Sequence, residues 1–160
     1  SVVRPAQLGA ICGANSTHII DDMTDTLDAI LTPWGLAFQL RDDELGVFGS
    51  PQVTGKPAGD DLREGKRTVL LALTWGHCDD AGRRLLGSVL ANAEATPEQI
   101  TEAAALIEGC GARAAHEEII TTHRDSGREA LERLRNEGVV STASLEDLAA
   151  LADLLTRRNS

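Results

Sequence analysis

The sequence predicts an all-α fold, and two observations carry that prediction. Apolar residues recur at three- and four-residue steps through successive segments, the spacing that aligns one face of a helix. The core material is Ala, Leu and Ile. Trp34, Trp75, Phe38 and Phe48 are the only aromatics, Tyr is absent, and β-branched runs of the kind that build sheets are scarce. With 160 residues, 42% hydrophobic and 25% charged, the chain reads as one globular domain, 1–160, able to bury a core.

The elements follow in order. Pro5 suits a first helical turn, and Leu8, Ile11 and Cys12 fall on one face of an opening helix. This abrupt start, with no polar leader, reads as entry into the middle of a longer fold. Asn15 to Thr17 offers caps for a second helix through Leu31, striped by Ile19, Ile20, Met23, Leu27, Ile30 and Leu31. Thr32-Pro33 is expected to end it and open a third, Trp34 to about Val47, because proline suits a first helical position and breaks an interior. Gly49 to Lys66 holds four glycines and two prolines among polar residues and reads as a loop, long enough to be functional.

Thr68 to His77 is apolar all round and reads as a short buried helix, and Asp79 to Asn92 is amphipathic. Thr96-Pro97-Glu98-Gln99 is a helix-start signature whose helix buries Ile100, Ala103, Ala104 and Ile107. The longest helix runs from Ala112 to about Glu137, with a narrow seam of mostly small residues. Gly138 stops it, and Ser144 caps a last helix aligned by Leu145, Leu148, Leu151, Leu154 and Leu155. The sum is about eight helices and one long loop.

Composition excludes several classes. A net charge of −10 argues against a general nucleic-acid binder, which needs clustered Lys and Arg. Cys12, Cys78 and Cys110 have no metal-ligand spacing and read as small apolar residues in a reducing compartment. No apolar run approaches the ~20 residues that span a bilayer, and no signal peptide opens the chain, so the expectation is a soluble, cytoplasmic protein.

Chemistry concentrates between Ala37 and Thr68. Gln39, Asp42 and Asp43 stand at i, i+3 and i+4, so they share a helix face. The loop beyond carries Lys56, Asp60, Asp61, Glu64 and Lys66. Adjacent carboxylates suit Mg²⁺, which takes oxygen ligands and bridges to phosphate oxygens, and lysines suit the same anion as point charges. On physical grounds alone, an exposed helix end followed by a solvated charged loop remains an equal alternative.

The wording of this stretch adds to the physics. Phe38-Gln39-Leu40-Arg41-Asp42-Asp43-Glu44-Leu45-Gly46-Val47-Phe48-Gly49, then Thr54-Gly55-Lys56, then Asp61-Leu62-Arg63-Glu64-Gly65-Lys66-Arg67-Thr68, resembles the second aspartate-rich region of the trans-isoprenyl diphosphate synthases. It looks most like their bacterial geranylgeranyl diphosphate synthase branch. Arg4-Pro5-Ala6-Gln7-Leu8-Gly9-Ala10 resembles the family's preceding helix. The resemblance implies an antiparallel helical bundle of the isoprenoid synthase type, and a Mg²⁺-dependent prenyltransferase that condenses an allylic diphosphate with isopentenyl diphosphate and releases diphosphate. It implies that Asp42 and Asp43 hold Mg²⁺, Lys56 and Lys66 bind diphosphate, Gln39 lines the site, and Asp61 supports the metal's water shell. Asp60, one residue earlier, is a weaker match.

Two departures qualify it. Gly46 stands where the family's motif ends in Asp, a change common in the branch resembled. The family's first aspartate-rich motif and its isopentenyl diphosphate-binding set have no counterpart here. The chain therefore reads as about the C-terminal half of such a fold, not competent alone, in a homodimer or associated with the missing N-terminal half. A non-catalytic helical partner or scaffold of a full-length synthase is the competing reading. Asp21-Asp22-Met23-Thr24-Asp25 spells an acidic motif but reads as a solvated face opposite Ile20, Leu27 and Leu31. The four histidines have no ligand spacing, and Arg157-Arg158 is a basic tail that could close over a diphosphate.

Overall fold

The structure is a computed structural model that describes residues 2–13, 17–55, 57–138 and 140–156, with backbone only for 17–22, 53–54 and 155–156. Its described residues form helices and no strand: α1 (Val3–Gly13), α2 (Thr17–Phe48), α3 (Pro51–Thr54), α4 (Asp60–Glu64), α5 (Val69–His77), α6 (Asp80–Val89), α7 (Pro97–Gly109), α8 (Ala112–Glu137) and α9 (Thr142–Thr156). The helix start expected at Thr96 is present and takes the form of a capping box: Thr96 Oγ1 accepts from the Gln99 N–H while the Gln99 side chain accepts from the Thr96 N–H. Thr68 caps α5 and Asp79 caps α6 in the same way, each hydroxyl or carboxylate accepting a backbone N–H three residues on.

The chain forms two compact units, residues 1–38 with 120–158, and residues 39–119. In the first, Trp34, Ile30 and Leu31 of α2 are fully buried with Ala130 and Leu131 of α8 and Leu145 of α9. The break expected at Pro33 does not occur, for α2 runs through it. A proline inside a helix removes one hydrogen bond and costs roughly 3 kcal/mol. Burying a large apolar side chain contributes about 1.5–3 kcal/mol, and three fully buried ones at positions 30, 31 and 34 flank the proline. Packing on both sides of the defect outweighs it.

The second unit is a layer of α5, α6 and α7, with Leu86, Val89, Ile100 and Ile107 in its core. Leu62 of α4 and Val47 of α2 enter the same core. The stretch from Gly49 to Lys66, expected as loop, contains the short helices α3 and α4. Gly59 and Gly65, at φ 72° and 68°, bracket α4, so these glycines delimit a helical turn instead of abolishing it. Leu62, wholly buried, anchors that turn, and its carbonyl accepts the Ala91 N–H at 3.1 Å. Asp61 and Lys66 flank this anchor.

A tight fit in the first unit gives a test. An ideal Cβ at Gly127 would lie 2.3 Å from Trp34 Nε1, whose N–H donates to the Arg124 carbonyl at 3.2 Å. Gly→Ala in an open helix stabilises by about 1 kcal/mol. Gly127→Ala is expected instead to destabilise by about 1–3 kcal/mol in urea unfolding, as overpacking does. Gly87→Ala, with nothing within 4 Å of the added carbon, should show the opposite sign.

Candidate functional site

The last turns of α2 present two different faces. Ala37, Leu40, Glu44 and Val47, at three- and four-residue steps, are buried. Gln39 and Asp42 are exposed and Asp43 is half-buried on another side. Gln39 Nε2 donates to Asp43 Oδ1 at 3.3 Å, the i,i+4 contact that the shared face implied.

Glu44 is buried because it is paired. It bonds the Arg41 guanidinium one turn back and accepts from Arg113 Nε of α8 at 2.8 Å. Arg41 continues to Glu117 at 2.6 Å, and Arg113 reaches Glu108 at 3.1 Å and covers the Phe48 ring, 4.2 Å from its centroid. The Glu44 bond holds the Arg113 guanidinium above its ordinary range. His116, fully buried beside this network, has both ring nitrogens unpaired, and burial pushes its imidazole below 6.5. No spacing in the sequence assigns a role to Arg41, Glu44, Arg113 or Glu117. The available signal was Glu44, an acid lying on an apolar stripe.

α4 brings the other half of the site. Asp61 is 4% exposed, and its Oδ1 accepts from Lys66 Nζ at 2.5 Å. That bond raises the Lys66 ammonium above 10.5, so it stays charged at neutral pH. Lys66 also lies 3.9 Å from Glu64. The Asp61 carboxylate packs against α2 itself at Gly46, where an ideal Cβ would lie 2.1 Å from Oδ2. Gly46 stands where the resembled motif has an acid, and the Asp61 carboxylate fills the space beside it. Asp43 senses this arrangement. Burial raises its carboxyl above 3.8, the like charges of Asp61 and Asp42 raise it further, and the Gln39 bond and Lys66 pull it down.

Gln39, Asp42, Asp43, Asp61 and Lys66 thus lie in one unit, on α2 and the α4 segment. Lys56, the side chains of Asp21 and Asp22, and Arg157 and Arg158 lie outside the described residues. The oxygen-only acid set fits a hard divalent cation. Among the described residues no three acids, histidines or cysteines converge on one point. No helix of the described residues is long and apolar enough to cross a membrane.

Comparisons with known proteins agree with this chemistry. Residues 1–107 match the polyprenyl synthetase family model. The geranylfarnesyl diphosphate synthase of Aeropyrum pernix is 36% identical over 154 residues, which are 96% of this chain and 45% of that protein. A solved geranylgeranyl pyrophosphate synthase of Corynebacterium glutamicum, complexed with isoprenyl diphosphate and magnesium, superposes with a TM-score of 0.86 at 37% identity, covering 98% of this chain and 42% of that one. A polyprenyl synthase of Caulobacter crescentus, complexed with calcium and isoprenyl diphosphate, gives 0.79 at 28% identity, over 98% of this chain and 45% of that one. The chain spans about half the length of these relatives. Its helices are those of the isoprenoid synthase fold, as the sequence implied.

Two pH effects follow. The folded chain holds the Asp43 proton more tightly than the unfolded chain, so this group costs stability as pH rises above 3.8. Asp43→Asn is expected to raise the melting temperature at neutral pH and to leave it unchanged well below pH 3.8. His116 has the opposite sign: its depressed imidazole means stability is lost as pH falls below 6.5. Melting temperatures of His116→Leu, recorded against pH, should lack that slope.

Proposed function

This chain belongs to the polyprenyl synthetase family, and from that premise we propose that the intact protein is a prenyltransferase in which the end of α2 and the α4 segment form one wall of a diphosphate site. It condenses an allylic diphosphate with isopentenyl diphosphate. The allylic C–O bond breaks and diphosphate leaves, the isopentenyl double bond makes the new C–C bond, and a proton is lost to restore a double bond. The observation that carries this reading is the acidic face itself: the like charges of Asp61 and Asp42 both bear on Asp43, and Lys66 is bonded to Asp61. Such a face is relieved by a divalent cation and, through it, takes up an anion.

Mg²⁺, when bound, supplies Lewis-acid stabilisation of the charge that develops on the leaving diphosphate. Asp42 and Asp43 would hold it, and Gln39 keeps the Asp43 carboxylate in position. Lys66 has three N–H donors, so one can remain on Asp61 while another meets a diphosphate oxygen. Lys56 binds the same diphosphate. Asp61, bonded to Lys66, would be the acid that supports a bound metal's water shell. The relatives are about twice as long as this chain, and the facing wall would come from the remainder of the intact protein. Exposed Leu8 and Ile11 on α1 support burial against a second copy in a homodimer or against that remainder. The setting is cytoplasmic.

The test uses the intact protein. Asp42→Ala, and separately Lys56→Ala with Lys66→Ala, should each lower prenyl transfer by about 10²–10³-fold, the scale of losing one preorganised charge contact. Circular dichroism should stay that of the wild type. Unchanged turnover in these variants would instead favour a scaffold that supports another synthase.

A further inference from the structure

Position 46 follows Asp42 by four residues and Asp43 by three, so any side chain there would stand on the face that carries both. Gly46 has none, yet the space is filled. An ideal Cβ built on it would lie 2.1 Å from Asp61 Oδ2, 2.2 Å from Cγ and 2.9 Å from Oδ1. The whole carboxyl group thus occupies the volume that a side chain at 46 would take. Asp61 cannot easily yield it. Its side chain is short and buried, Lys66 holds one oxygen at 2.5 Å, and the wholly buried Leu62 fixes the next residue of α4. A glycine inside a helix lowers its stability relative to alanine, so this position carries a local cost that the contact explains.

We propose that Gly46 is a positioning residue of the site: its missing side chain seats the Asp61–Lys66 pair against α2, so that the third carboxylate of the acidic face is delivered by α4 instead of by the helix. This rests on the diphosphate-site reading above. The pair is then held where Lys66 can meet an anion bound on the Asp42–Asp43 face. A methyl group at 46 displaces both members together.

The experiment is calorimetric titration of the intact protein with inorganic pyrophosphate at saturating Mg²⁺, comparing wild type, Gly46→Ala, Asp61→Ala and the exchange Gly46→Asp with Asp61→Ala. Gly46→Ala should weaken binding by about tenfold, the scale of one charge-assisted hydrogen bond. The exchange, which returns a carboxylate to the same volume from the helix side, should bind several-fold tighter than Asp61→Ala. Wild-type affinity in Gly46→Ala, or an exchange no better than Asp61→Ala, overturns the inference and leaves the site reading intact. Should Gly46→Ala fail to fold by circular dichroism, the comparison of Asp61→Ala with the exchange decides alone. Absence of Mg²⁺-dependent pyrophosphate binding in the wild type overturns the site reading first, and this inference with it.

Discussion

A carboxylate withdrawn from water must be matched by cations, and Glu44, 5% exposed, is matched by two, Arg41 and Arg113. Such a network adds little net stability, because desolvation offsets most of the attraction. Its force is in what it forbids. Any rotation of α2 that broke the Arg113 bond would leave the buried Glu44 carboxylate with one of its two cations. Successive helical residues are turned by about 100°, so holding Glu44 inward fixes where Asp42 and Asp43 point. The direction of the site is set by a residue that never touches it.

Near its end helix α2 turns acids to two sides. Glu44 is met by Arg41 and Arg113 on the buried side. Asp42 and Asp43 share a face with a third carboxylate and a lysine already bonded to that carboxylate. With a net charge of −10 the chain repels anions at long range, so an anion is attracted through local cations or not at all. Opposite demands are met by one helix because its two sides see different partners.

What could be read from sequence was local. The Gln39–Asp43 contact and the Thr96 capping box are set within one turn, and their residues carry the pattern openly. The break assigned to Pro33 was wrong because propensity is a local rule and the burial of Ile30, Leu31 and Trp34 depends on α8 and α9. The α4 turn was hidden by glycines that here mark its ends. Glu44 with Arg113, and Gly46 with Asp61, are contacts across 69 and 15 residues of chain. No spacing rule covers them. Gly46 reads in sequence as a missing acid, and only the fold shows which acid replaces it.

The burial of Trp34 has a further, optical consequence. The protein's two tryptophans fall one to each unit: Trp34, fully enclosed with its N–H on a helix carbonyl, in the first, and Trp75, half-exposed on α5, in the second. Their emission differs in colour before any label is added, the enclosed indole to the blue and the wetted one to the red. With tyrosine absent, nothing else in the chain competes for that signal. The unit that carries the acidic face and the unit that carries the proline-bearing core each come with their own lamp.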